Sequence, residues 1–291
     1  CGLLGSSILR RISKKKLTKK VFVYEKSKIN IKKIKKLKFP IILLKKLDEV
    51  VSKSDLIILC APMSEYKDII LKINKFLGPN NLITDIGSAK LQSLKIIRDN
   101  LKKNISWISS HPIAGSEVSG PEHGSSNLFK NKWCVLVKEK NTKIRDLKIL
   151  NSFWKKMGSK TVIMSPEKHD RIFSITSHLP HLIAYNLVKS AQDFEKKQNY
   201  NLIKYSAGGL RDFSRIAASN EIMWRDIFLN NKENVSKAID LFIKNLVSFK
   251  KDINSKNNKS ILKKLVQTKK VRSKILKLKQ DINKPNFGRD I

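Results

Sequence analysis

Cysteine is scarce in this chain: Cys1, Cys60 and Cys134 are three in 291 residues, an odd number with neither disulfide nor metal-ligand spacing. That argues against a disulfide-stapled secreted framework and against a metal site, and it leads to the expectation of a reduced, cytoplasmic protein. Long hydrophobic runs are missing too. The apolar stretches near residues 41–44 and 56–61 fall far short of the roughly 18 residues that a spanning helix needs, so no membrane partner is expected. Aromatic residues make up only 7%, and acids are outnumbered, with 24 Asp and Glu against 61 Lys and Arg and a net charge of +37. Such an excess invites a nucleic-acid reading, because a clustered basic face binds phosphates by releasing counterions. Here the lysines punctuate nearly every helix and turn, mixed with many Ile and Asn, and no nucleic-acid motif accompanies them. Compositional drift accounts for them better, and no nucleic-acid partner is expected. Repeats and low-complexity linkers are also lacking.

What is present is enough apolar residue, 41%, to bury a large core, over a length that suits two domains. Through residue 165, short β-branched runs alternate with helical periodicity. Strands are expected at residues 21–24, 55–60, 82–85, 105–109, 133–138 and 160–164, with a lysine-rich segment at about 29–37 and helices at about 47–52, 65–76, 91–101 and 145–157. This alternation predicts a doubly wound parallel sheet, an α/β fold of Rossmann type, whose ligands bind at the carboxyl ends of the strands. The turn Gly2-Leu3-Leu4-Gly5 opens a helix, as the second and third glycines of a dinucleotide fingerprint do, and so is assigned to cofactor phosphate. The first glycine and its strand are not in the chain, so the sheet is expected without its first strand. Glu25 follows the last glycine by about twenty residues at a strand end, where a carboxylate bonds a ribose 2′-hydroxyl and disfavours a 2′-phosphate; NAD is therefore the expected cofactor. Ala61 and Pro62 close the next strand at the same edge and join the cofactor assignment.

The chemistry centres on Ser110-His111-Pro112-Ile113-Ala114-Gly115-Ser116-Glu117. A histidine presented where a strand runs out into a turn can serve as a base, and an ordinary pKa near 6.5 suits work near neutral pH. Ser88, in the turn Asp85-Ile86-Gly87-Ser88-Ala89-Lys90, has two readings: an N-cap for the next helix, or a hydrogen-bond partner that fixes the tautomer of His111. The irregular segment 115–129 has the length of a functional loop.

From residue 166 onward only helical periodicity remains, which predicts an all-helical second domain over residues 166–291 after a nucleotide-binding domain over residues 1–165. Its first helix carries Ser177-His178-Leu179-Pro180-His181, two histidines on one helical side with a proline kink; they read as a pocket wall in preference to a zinc site. A second signature runs from Gly208-Gly209-Leu210-Arg211-Asp212 through Arg215 to Trp224-Arg225-Asp226. Arg211 and Arg215 share a helix face and suit a carboxylate, with salt bridges to Asp212 or Asp226 as the structural alternative. The tail from residue 250 reads as a surface or dimer-contacting helix with a loose end.

Taken together, these motifs resemble the prephenate dehydrogenase family, which includes the arogenate and cyclohexadienyl enzymes. The resemblance spans nearly the whole chain and implies a homodimer that oxidatively decarboxylates prephenate with NAD in tyrosine biosynthesis. It implies that His111 accepts the proton of the ring hydroxyl and that Ser88 orients His111 and touches the cofactor. It also implies that Arg215 clamps a substrate carboxylate, that Ser116, His178, His181, Gly208 and Trp224 shape the pocket, and that Glu117 controls access. Arogenate as substrate, a β-hydroxyacid dehydrogenase and a basic nucleic-acid-binding protein are the alternative readings.

Overall fold

The computed structural model describes residues 1–198 and 201–278. In chain order the elements are α1 (Leu3–Lys15), β1 (Phe22–Val23), α2 (Lys28–Lys36), β2 (Ile42–Leu43), α3 (Leu47–Ser52), β3 (Leu56–Leu59), α4 (Tyr66–Ile73), β4 (Leu82–Asp85), α5 (Leu91–Asn100), β5 (Ser106–Trp107), β6 (Ser110–Pro112), β7 (Trp133–Val137), α6 (Ile144–Lys156) and β8 (Lys160–Met164). Helices follow: α7 (Pro166–Phe173), α8 (Leu179–Gln198), α9 (Gly208–Ser214), α10 (Glu221–Asn230), α11 (Lys232–Asn254) and α12 (Asn258–Lys277). Two compact units divide the chain after Val235.

Within the first unit the strands pair as β1–β2, β3–β4–β5 and β6–β7–β8. All pairings are parallel except β6–β7. Strand β4 is buried at every position, as expected of a strand covered on both faces. Side chains alternate across this sheet. Ile57, Leu59 and Ile83 meet Tyr66 and Ile70 of α4 and Leu94 and Ile97 of α5 in one core, while Leu82 and Ile86 join Ile8 and Ile12 of α1 and Leu150 and Trp154 of α6 in another. Helices therefore cover both faces, and the doubly wound architecture expected from the alternation is observed. Leu59 lies opposite Asp85, so the turn after β3 and the turn after β4 open at one edge.

Two local expectations are corrected. The run at residues 105–109 does not continue as one strand into a turn. It pairs with β4 only through Ser106–Trp107, after which the chain bends and Ser110–Pro112 pairs antiparallel with β7, placing His111 opposite Val135. The bend lets Ser110 direct its hydroxyl to the Asp85 carbonyl, 2.7 Å away, while the Ser109 carbonyl accepts from Val137 N–H. A sequence window cannot see that exchange of partners. The kink expected at Pro180 is a π-helical turn, Ser174–His178, immediately before α8. Proline lacks the N–H and crowds the carbonyl four residues earlier, and a wider turn relieves both defects.

The second unit begins at Ser236. In it Lys264 Nζ reaches Asp252 at 2.7 Å and the Ser248 hydroxyl at 2.7 Å, and its ammonium stands over the Phe249 ring. The Ser260 hydroxyl donates to the same Asp252 carboxylate, so residues of α11 and α12 share one polar clasp. The tail's expected loose end lies outside the described residues.

Candidate active site

The site is built on the carboxyl edge of the sheet and on one buried face of α7. Pro166 opens α7, with Ser165 as its cap accepting from Lys168 N–H, and the face so presented carries His169, Asp170 and Phe173. His169 Nε2 stands 2.8 Å from His111 Nδ1, and His169 Nδ1 stands 2.7 Å from Asp170 Oδ1. Phe173 packs its ring against both imidazoles. Both Asp170 oxygens also accept backbone N–H groups, from Lys90 to Oδ1 and from Leu91 to Oδ2, each at 2.8 Å. This corrects the capping reading of Ser88: α5 starts at Leu91, and its first amides are held by a carboxylate from 80 residues downstream. The partner expected for the His111 ring is corrected too. Its Nδ1 is met by His169, while the Ser88 backbone faces His178.

A second chain of contacts leads from Asp170 to the remaining histidines. Asn231 Nδ2 donates to the Asp170 carbonyl at 2.8 Å and lies 3.1 Å from His178 Nδ1, and Asn234 fixes the amide by donating to Asn231 Oδ1. His178 meets the edge of Trp224, and His181 stacks on the same indole with ring centres 3.8 Å apart. His181 is also within the field of the Arg215 guanidinium. Two buried nitrogens here, His178 Nε2 and Trp224 Nε1, have no hydrogen-bond partner of good geometry among the described residues. Buried donors of this kind can bond a polar ligand that reaches them. Arg215, just beyond α9, reaches Glu117 at 2.7 Å and is half exposed. The alternative pairing with Asp226 does not form, because Asp226 takes Arg225 and the Ser64 amide. Ser116 is exposed in the loop, and Gly208 starts α9.

Beneath the base lies a buried ion pair. Lys90 Nζ reaches Asp85 Oδ2 at 2.7 Å and the Ser110 carbonyl at 2.8 Å, with both side chains fully buried. Asp85 Oδ2 also accepts from Gly87 N–H and from the Tyr66 hydroxyl.

The electrostatics depart from the expectation of an unperturbed base. Burial, then the neighbouring His169, Lys90 and His178, hold the His111 pKa well below its usual value. Burial and Lys90 do the same to His169. His178 is lowered to about 4, again by burial first. His111 is therefore neutral, and proton-accepting, across the whole neutral range. The same shifts make the fold acid-sensitive. In the unfolded chain each histidine takes a proton below about pH 6.5, which the folded chain resists, so their stability is full above that pH and declines as pH falls. His178 alone, going from 6.5 to about 4, accounts for roughly 3 kcal/mol by the lower pH. The thermal midpoint should fall steadily on going from about pH 7 to about pH 5; a constant midpoint in a pH series of melting curves contradicts the buried, neutral arrangement.

The nucleotide side of the edge fits a dinucleotide. Gly2 occupies the N-cap position of α1, no side chain caps the helix, its first turn has no acid, and a Cβ added at Gly2 would meet nothing within 4 Å. Among the described residues, then, no capping or acidic side chain competes with an anion at the start of α1. Gly5 packs tightly, since a Cβ there would come within 3.4 Å of Cys60 Cβ beside Ala61. Glu25, just past β1, accepts from Ser27 N–H at 2.7 Å. Loop 115–129 packs on α1: Ser125 N–H donates to the Ser7 hydroxyl, and a Cβ at Gly124 would fall 2.2 Å from Ser6 Oγ, so the loop backbone can approach the helix only with glycine there.

His169, Asp170 and Asn231 were not among the residues singled out in the sequence. Their one local signal is that His169 and Asp170 are polar residues on the inward stripe of α7, in line with Phe173.

Comparison with known proteins is consistent with this geometry. Sequence models of the prephenate dehydrogenase nucleotide-binding domain and of the prephenate dehydrogenase dimerization domain match residues 8–163 and 165–267. Cyclohexadienyl dehydrogenase of Zymomonas mobilis is 32% identical over 280 residues, covering 96% of this chain and 94% of that protein. Prephenate dehydrogenase of Bacillus subtilis is 36% identical over 166 residues, 57% of this chain and 44% of that protein. Among solved structures, Aquifex aeolicus prephenate dehydrogenase in complex with hydroxyphenyl propionate and NAD+ superposes with a TM-score of 0.87 at 33% identity, covering 94% of this chain and 95% of that one. Arogenate dehydrogenase of Synechocystis, at 22% identity and a TM-score of 0.75, shares the fold. The chain belongs to the prephenate dehydrogenase family.

Proposed function

We propose that this protein is an NAD-dependent dehydrogenase that oxidatively decarboxylates prephenate to 4-hydroxyphenylpyruvate, a step of tyrosine biosynthesis. The observation that carries the reading is the buried His111 at the carboxyl edge of a Rossmann sheet, linked by contacts through His169, Asp170, Asn231, His178 and Trp224 to His181, whose ring lies within the field of the Arg215 guanidinium. In this assignment NAD+ takes up the hydride from the ring carbon that bears the hydroxyl. His111 Nε2, which no described residue bonds, accepts the proton of that hydroxyl. Loss of CO2 then aromatises the ring. Gly2, Leu3, Leu4 and Gly5 offer their amides to the pyrophosphate, Glu25 holds a ribose, and Ala61, Pro62 and Ser88 line the rest of the cofactor edge. Ser116, His178, His181, Gly208 and Trp224 wall the substrate, and Glu117 holds Arg215 at the entrance.

Arginine presents five N–H groups, so Arg215 can bind a substrate carboxylate while keeping one contact to Glu117. Arg215→Ala should raise KM for prephenate by about 10- to 100-fold, the equivalent of one or two charge-assisted hydrogen bonds, with kcat changed far less. An unchanged KM in steady-state assays moves the clamp to another residue.

A second reading, activity on arogenate as well, is favoured by the 32% identity to a cyclohexadienyl dehydrogenase across nearly the whole chain. NADH formation with prephenate and with arogenate, each at saturating NAD+, tests both; no NADH from either removes the assignment. The dimerization-domain match over residues 165–267 supports a homodimer and a division of the chain near residue 165. Three free cysteines, and no described helix long and apolar enough to cross a membrane, support a cytoplasmic location.

A further inference from the structure

The contacts of His111 reach beyond its own strand, and their direction can be worked out atom by atom. Asp170 receives backbone N–H groups at both oxygens, and backbone amides can only donate. Its carboxylate therefore faces His169 as an acceptor, and the proton of the neutral His169 ring sits on Nδ1. That leaves His169 Nε2 as a bare lone pair, 2.8 Å from His111 Nδ1. Two lone pairs cannot face each other at that distance, so His111 carries its proton on Nδ1 and its lone pair on Nε2.

We propose that His169 is a positioning residue that, oriented by Asp170, fixes His111 in the one tautomer whose Nε2 can accept a proton. The proposal rests on the reading of His111 as the base and adds what makes it one. Without an acceptor at Nδ1, a neutral imidazole prefers its proton on Nε2, which would turn the substrate-facing nitrogen into a donor. Burial makes the point sharper, because a buried ring has no water to offer Nδ1 another partner; His111 and His169 are 7% and 0% exposed. When His111 takes a proton at Nε2, the Nδ1–H bond to His169 is kept and becomes charge-assisted, so no rearrangement accompanies the transfer. The arrangement uses the carboxylate that also holds the start of α5, which ties the ring's orientation to the turn carrying Ser88.

The test compares His169→Leu, which removes the acceptor, with His169→Gln, whose side-chain carbonyl can still accept from His111 Nδ1. Nitrogen-15 shifts of the His111 ring in the unliganded, full-length protein report the tautomer directly. The parent and His169→Gln should show a protonated Nδ1 and a bare Nε2, and His169→Leu should show the reverse. In steady-state assays His169→Leu should lose about 100-fold in kcat with KM and NAD+ affinity nearly unchanged, and His169→Gln should recover at least a tenth of the parent rate. A parent ring protonated on Nε2 overturns the proposal, as does a His169→Leu protein that keeps the parent's nitrogen pattern or its kcat. If His169→Leu does not fold, the parent and His169→Gln spectra decide. The nitrogen shifts need no substrate, so they stand even if neither prephenate nor arogenate is turned over, and the two readings fail separately.

Discussion

His111→Asn is expected to lower kcat by about 10² to 10⁴, the range over which a positioned general base contributes, while NAD+ affinity stays nearly intact. Asparagine is close to the imidazole in size at its Nδ1 end and can still donate to His169, so the packing against Phe173 and the strand pairing with β7 are retained. What is lost is the lone pair at Nε2. Because the nucleotide is assigned to Gly2, Gly5 and Glu25, on α1 and beyond β1, its binding is not expected to register the change. Fluorescence titration with NADH and stopped-flow turnover measure the two quantities separately. A variant with the parent's kcat removes His111 from the chemistry. The parent itself should keep its rate as pH is lowered through about 6.5, where an ordinary histidine would protonate, because burial keeps this ring neutral to lower pH.

The largest loss of stability is expected from Lys90→Met. Methionine fills much of the volume, but it leaves the Asp85 carboxylate without its cation where neither side chain touches solvent. Removing one partner of a buried pair costs about 3 to 5 kcal/mol, because an uncompensated charge remains in the interior. For a chain of this size that lowers the unfolding midpoint by roughly 10 °C. The Ser110 carbonyl loses a donor at the same time, and the strand that presents His111 is held less firmly. Lys90 also contributes to the lowered His111 pKa, so its removal should move that pKa back up toward the ordinary range. Calorimetry with and without NAD+ checks the first effect. A midpoint within a degree or two of the parent indicates that the carboxylate finds another partner or a proton.

Much of this was legible in the residues themselves. The strands at residues 82–85 and 160–164 and the helix at 47–52 form over the ranges that their periodicity indicates, because β-branched runs and 3.6-residue spacing act locally. The glycine turn, Glu25 and His111 could be placed at one sheet edge from the alternation alone, since a parallel sheet carries every carboxyl end on the same side. The partner of His111 was not legible. Ser88 stood at a fitting place in sequence, whereas His169 is 58 residues downstream, past the last strand, in what reads as the opening of another helix. Short strands such as Ile42–Leu43 went unseen for a similar reason: two residues have no period, and only pairing with β1 makes them a strand.

By itself, then, the order of residues determined most of the strands and helices and the edge of the sheet at which His111 stands, because each of these follows from local periodicity or from the handedness of a parallel crossover. Only the tertiary structure decided the state of that imidazole. Its neutrality, its tautomer and the ion pair beneath it depend on burial and on groups brought from distant parts of the chain, and desolvation and hydrogen-bond direction are properties of a packed interior that no sequence window contains.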